Sequence, residues 1–330
     1  MISFALLLLG LFLLLAGGAG LVRGASGIAE TFGVSPLIVG LTVVAFGTSS
    51  PELVVNILGA LQGETDIAFG NIAGSNLANL GLVLGSAAVI APMAIQSQII
   101  RRELPLLLLA TTILLVMTLD PYVRGFSAIL DRSDGLILLL LFGIFVYIMI
   151  SDFLRQQQDP LLTSVGGLSP VLKGSQMVNW LYTGGGIVGL SIGGQLSIEH
   201  GVKLAEVLGL SPAIIGMLVI AIGTSLPELV TSIIAAMRKQ ADLCLGNVIG
   251  SNIFNILFVL PISALIEPLR IPNGGVYDIM ASLFFAAIII PVFFMKDRLM
   301  TRSTGILFMV SYFVYMYSRV LGGLGNSNAF

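Results

Sequence analysis

The 330-residue chain has one cysteine, Cys244, and one histidine, His200. A single cysteine excludes an intrachain disulfide and any cysteine-based metal cluster, and a single histidine excludes a multi-histidine metal site. No HExxH motif and no serine with a histidine partner stand in the sequence, which argues against an intramembrane hydrolase. Charge is equally scarce: 10% of residues are charged, against roughly 25% in ordinary soluble domains. There is no basic patch, and with a net charge of −2 nothing points to a nucleic-acid partner. What the chain has in abundance is apolar surface, 56% of residues and a mean hydropathy of +1.04. Such a chain faces lipid over most of its area.

A spanning helix takes about 20 apolar residues. Ten segments are predicted to span, at 2–22, 36–61, 67–90, 104–119, 135–153, 177–198, 212–237, 243–266, 277–295 and 304–320. The first lacks a basic leader region and is read as a membrane helix rather than a signal peptide. The longest connection, 154–176, is polar and holds Pro160, Gly166 and Gly167, which marks it as a linker between halves 1–153 and 177–330. With the N-terminus outside, ten Lys and Arg fall on the cytoplasmic side, linker included, and five on the other. The positive-inside rule therefore favours that orientation, in an inner or plasma membrane.

An internal repeat organises the chain. Residues 33–85 align with 209–261 at an offset of 176, without a gap and with 25 of 53 positions identical. Each copy belongs to a unit of five spans. Five is odd, so the second unit enters the membrane from the opposite side. The expected fold is an all-α polytopic membrane protein, ten transmembrane helices arranged as two inverted-topology five-helix repeats. Inverted repeats are the mark of secondary transporters, whose site lies near the midplane between the repeats.

Polar residues interrupt the apolar runs at matching places. The second span contains Gly47-Thr48-Ser49-Ser50-Pro51-Glu52, and its counterpart Gly223-Thr224-Ser225-Leu226-Pro227-Glu228. An ionised carboxylate at the centre of a spanning helix costs about 3 kcal/mol or more, so two at equivalent positions call for a function. Ala45, Thr48, Ser49 and Glu52 share one face at helical spacing, as do Ala221, Thr224, Ser225 and Glu228. Pro51 and Pro227 each remove a backbone donor and free a carbonyl about one turn earlier, for a cation or for the neighbouring hydroxyls to satisfy. The third and eighth spans carry Gly70-Asn71-Ile72-Ala73-Gly74-Ser75-Asn76 and Gly246-Asn247-Val248-Ile249-Gly250-Ser251-Asn252. Ser75 with Asn79, and Ser251 with Asn255, stand four residues apart and are read as ligands. Asn71, Asn76, Asn247 and Asn252 are read as helix-packing residues. All these donors are oxygens, which suits hard cations such as Ca2+ and Na+. Two glutamates balance one Ca2+ or two Na+.

The paired GTSSPE and GTSLPE motifs, each followed by GN-x-x-GSN, resemble the two alpha-repeats of the calcium/cation antiporter superfamily, its sodium/calcium exchanger branch above all. The resemblance covers the whole ten-span chain. It implies a secondary antiporter that exchanges Ca2+ for Na+ by alternating access, with no cofactor beyond the transported ions and a single chain as functional unit. It assigns Glu52 and Glu228 to Ca2+ and to shared Na+ sites. Thr48, Ser49, Thr224 and Ser225 would serve mainly Na+. Ser75, Asn79, Ser251 and Asn255 complete the set with backbone carbonyls at Ala45 and Ala221. Relatives often carry Asp at the places of Asn79 and Asn255, so two asparagines argue against K+ co-transport. The resemblance also suggests that the glycine-rich first and sixth spans move as the gate. Calcium/proton exchange is the alternative reading, and a cation channel a remoter one.

Overall fold

The computed structural model describes residues 2–120, 125, 128–157, 176–207, 223–294 and 299–326. Among them eleven helices follow in order: α1 Ile2–Phe32, α2 Pro36–Thr48, α3 Ser50–Leu61, α4 Thr65–Ile90, α5 Leu104–Thr118, α6 Arg132–Gln157, α7 Gln176–Val207, α8 Leu226–Met237, α9 Ala241–Ile266, α10 Gly275–Phe294 and α11 Arg302–Asn326. Among the described residues, five are long and apolar enough to cross a membrane (α1, α4, α6, α9 and α10), and the α2–α3 pair makes a sixth if counted as one span. Residues 212–222 of the predicted seventh span lie outside the described residues, as does most of the 154–176 linker.

The first and sixth spans are corrected in length. Helix α1 runs 31 residues and α7 runs 32, past the apolar stretches 2–22 and 177–198. Backbone hydrogen bonding continues where side chains turn polar, because an exposed Arg23 or Glu30 is solvated without ending the helix. Gly33, at φ +66°, terminates α1. At 1.5 Å per residue such helices reach about 45 Å, beyond a hydrocarbon core of about 30 Å.

The second span is corrected in shape. It bends by 44° at Ser49, whose ψ of 6° leaves the helical well, and Pro51 then opens α3 within its first turn. Ser225 repeats the feature with φ −90° and ψ 9° ahead of Pro227. Wider π-type turns occur at Gly40–Val44 in α2, Asn79–Val83 in α4 and Asn255–Val259 in α9, and another, Ile99–Glu103, leads into α5. The last two within the long helices stand at the 176 offset.

Helices α4 and α9 form the centre: 83% and 78% of their spans are buried, against 17% for α6 and 33% for α1. Packing crosses between the halves. Helix α2 lies on α9, where a Cβ at Gly40 would meet the Leu243 carbonyl at 2.8 Å and one at Gly246 the Leu37 carbonyl at 2.7 Å. Helices α4 and α11 meet at Gly85 and Gly305, and α9 meets α6 at Pro261 and Gly135. Helices α1 and α7 pack antiparallel along their length. Added Cβ atoms would strike Ser197 Oγ from Gly10, Leu190 N from Gly17 (2.7 Å each) and the Asn179 carbonyl from Gly24 (2.6 Å). Only glycine at this seven-residue spacing allows so close a backbone approach.

The all-α expectation also needs amendment by two short ladders. Strand β1, Met93–Ala94, pairs with β4, Leu299–Met300, and β2, Ile129–Leu130, pairs with β3, Leu269–Arg270. Each ladder joins one half to the other. Each also joins connections that the span count assigns to the same side of the membrane.

Candidate cation site

The site is assembled where the bend after α2 meets α8 and the central helices. Glu52 lies in the first turn of α3 and Glu228 in the first turn of α8, and each is 1% exposed. Ser49, three residues before Glu52, donates its hydroxyl across the halves to Glu228 Oε1 at 3.0 Å. This contact brings the two glutamate-bearing turns together. The expectation that Ala45, Thr48, Ser49 and Glu52 share one helix face is corrected. The helix breaks at Ser49, so Ala45 and Thr48 end α2 while Glu52 begins α3 in a new direction.

Thr48 is fully buried. Its hydroxyl donates to Asn247 Oδ1 at 3.0 Å and lies 3.3 Å from both Ser251 Oγ and the Ala45 carbonyl. The mirror contact, Ser75 Oγ to Thr224 Oγ1, measures 3.5 Å, with Ser75 buried and Thr224 half-buried. Ser50 donates to the Phe46 carbonyl at 2.7 Å, so part of what the proline bend frees is satisfied by hydroxyls. Asn79 and Asn255 open the π-type turns of α4 and α9, each facing the opposite half: Asn79 Nδ2 donates to Asn252 Oδ1 at 3.2 Å, and Asn255 Nδ2 to Asn76 Oδ1 at 3.1 Å. Of the predicted ligands, Ala221 alone lies outside the described residues.

The oxygen atoms left over decide what the site can hold. Among the described residues, both oxygens of Glu52, Oε2 of Glu228, Oγ of Ser225, and Oδ1 of Asn79 and of Asn255 are buried without a hydrogen-bond partner. Buried polar atoms are ordinarily paired, and an unpaired carboxylate is the most costly of all to bury. Orphaned acceptors gathered on both halves fit a hard cation. Among the described residues no cluster of three or more His, Cys, Asp or Glu side chains could hold a metal. A cation held here would meet two carboxylates, Glu52 and Glu228, with neutral oxygens for the rest of its shell, a donor set that suits Ca2+ and Na+.

Asn71 and Asn247 play the packing role expected of them. Asn71 Nδ2 donates to Asn56 Oδ1 at 2.8 Å and Asn247 Nδ2 to Ser232 Oγ at 3.0 Å, each tying a central helix to its neighbour. Asn247 does more, since it also orients Thr48. The signal for this was the repeat itself: Asn247 stands one helical turn before Ser251, so both face the same side.

Outside the site, Arg102 is more than a topology determinant. It donates to Glu103 at 2.5 Å and ion-pairs with Asp152 on α6. At the 176 offset from Arg102 stands Asp278, which pairs with Arg319 on α11 at 2.8 Å and accepts from the Tyr315 hydroxyl at 2.7 Å. His200 is buried within α7.

Residues 2–151 and 178–321 match the family model described as sodium/calcium exchanger protein. CaxA of Alkalimonas amylolytica is 36% identical over 96% of this chain and 98% of its own length. The inner membrane protein YrbG of Escherichia coli K12 is 33% identical over 96% of each. Solved structures of the sodium-calcium exchanger NCX_Mj superpose with a TM-score of 0.77 at 31% identity, covering 96% of this chain and 98% of that one.

Proposed function

Since the chain belongs to the sodium/calcium exchanger family, we propose that it is a secondary antiporter that drives Ca2+ across the membrane against Na+. The observation that carries this reading is Glu52, a fully buried carboxylate with neither oxygen paired among the described residues. Such a charge persists only beside a cation, and Glu228 supplies the second charge that Ca2+ requires. In this reading Glu52 and Glu228 bind Ca2+ and share the Na+ sites. Thr48, Ser49, Thr224 and Ser225 serve Na+, while Ser75, Asn79, Ser251, Asn255 and the carbonyls of Ala45 and Ala221 complete the shell. Ca2+ and Na+ compete for the same carboxylates, and the empty, doubly charged site is the state least able to cross; that competition couples the two fluxes.

The wider arrangement belongs to the same proposal. Ten spans form two inverted units, 1–153 and 177–330, with the N-terminus outside in an inner or plasma membrane. The cross-half contacts repeated at the 176 offset support it, as do the two ladders, each joining connections assigned to one side. The close-packed α1–α7 pair is the part suited to slide as a gate.

The test is Ca2+ uptake into proteoliposomes loaded with Na+, against choline-loaded vesicles and vesicles with an imposed pH gradient. Uptake is expected with Na+ inside only. Uptake driven by the pH gradient would make the coupling ion H+, and Ca2+ flux with no counter-ion dependence would overturn antiport.

A further inference from the structure

We infer that Asn76 and Asn252 are positioning residues that hold the amides of Asn79 and Asn255 with the carbonyl oxygen, and not the NH2 group, toward the transported cation. The inference rests on the proposed transport reading and adds to it two residues that make no ligand contact of their own.

An asparagine amide is nearly symmetric in shape and opposite in chemistry at its two ends. A half-turn about its last bond replaces an acceptor with a donor, and a donor turned toward a cation repels it. Asn79 and Asn255 therefore serve a cation in one orientation only. Each has its Nδ2 engaged by an acceptor in the opposite half, Asn252 Oδ1 at 3.2 Å and Asn76 Oδ1 at 3.1 Å. Each is left with Oδ1 buried and unpartnered. All four side chains are 2% exposed or less. The two pairs repeat at the 176 offset and span the central helices α4 and α9 in both directions, so one arrangement arises twice from different surroundings.

The pairing carries a specificity rule. A carboxylate at position 79 has no N–H to give, so its partner must turn and donate; asparagine at 252 can do so, through an Nδ2 that is unpartnered here. Asparagine at 252 or 76 thus accommodates either an amide or a carboxylate at the ligand position. Aspartate at 252 or 76 accepts only, and accommodates only an amide.

The experiment measures KM for Ca2+ in the Na+-gradient assay, together with the melting temperature of each purified variant. Asn252→Leu, which removes the acceptor, is expected to raise KM about tenfold, the effect of orphaning one buried donor. Asn252→Asp keeps the acceptor and should leave KM unraised. Asn79→Asp, a change at a proposed ligand, is measured alone for its own effect on KM. Asn79→Asp with Asn252→Asp should lose at least about tenfold more than the product of the single effects. That loss should deepen as pH rises, because facing carboxylates must share a proton. Asn255 and Asn76 should repeat the pattern. An unchanged KM in Asn252→Leu, or a double variant equal to the product of its singles, overturns the inference. A folded wild type that takes up no Ca2+ overturns the transport reading instead, and a lowered melting temperature identifies a variant that merely fails to fold.

Discussion

The two halves carry the same motifs but use them unequally. Among the described residues, Glu228 accepts a hydrogen bond from Ser49 of the other half, whereas Glu52 has none, and Ser225, the counterpart of Ser49, leaves its hydroxyl unpartnered. The asparagine pairs, by contrast, agree within 0.1 Å across the offset, at 3.2 and 3.1 Å. Symmetry thus holds in the amides of the central helices and breaks at the carboxylates. A site equally disposed toward both halves would distinguish neither side of the membrane. Alternation between two access states needs this kind of inequality, located in the groups that bear the charge.

The comparison can be broken most severely at the carboxylates. Glu52→Gln and Glu228→Gln should each reduce Ca2+ uptake by about a hundredfold or more, since either leaves a single charge to face a divalent ion. In ion-free buffer they should separate. At a pH high enough to ionise both carboxylates, Glu52→Gln relieves an unpaired buried charge and should raise the melting temperature by about 2 °C or more, while Glu228→Gln should raise it less because Ser49 already stabilises that group. Ca2+ should stabilise the wild type and neither variant. A larger gain in Glu228→Gln would reverse the assignment of which half is the unsatisfied one.

A middle-sized effect sharpens the comparison of α1 with α7. A Cβ at Gly17 would approach Leu190 N to 2.7 Å and one at Gly186 would approach Leu21 N to 2.5 Å, whereas nothing lies within 4 Å of one at Gly185. Gly17→Ala and Gly186→Ala should each destabilise by about 1–3 kcal/mol and slow transport at unchanged Ca2+ affinity, and Gly185→Ala should match the wild type. The smallest effect compares the ionic tethers. Asp152→Asn leaves Arg102 with Glu103, while Asp278→Asn weakens contacts to both Arg319 and Tyr315. Thermal melting should show Asp278→Asn as the costlier, by about 0.5–1 kcal/mol.

Much of this was legible because lipid simplifies the reading. Apolar runs mark the spans, and Glu52 and Glu228 stand out against them as they would not in a soluble protein. The 176 offset then pairs every candidate ligand with its twin. Three things were not legible. The extensions of α1 to Phe32 and of α7 past Ile198 lie where the sequence turns polar, so hydropathy falls silent but backbone hydrogen bonding continues. The break at Ser49 and the π-type turns at Asn79 and Asn255 are tertiary choices, since Pro51 permits either a smooth kink or a sharp one. The engagement of Asn76 and Asn252 with the opposite half, which moves them from packing to orienting roles, depends on how α4 crosses α9.

The two short ladders bear on how the molecule is made. Strands β1 and β2 belong to the first half of the chain, and the strands that complete them, β4 and β3, are synthesised only later. A nascent first half therefore enters the membrane with two open strand edges, and with α4 lacking the α11 surface it packs against. It cannot finish folding until the second half arrives. The two halves should mature as one unit, and a chain arrested between them should be recognised as unfinished by the machinery that clears incomplete membrane proteins.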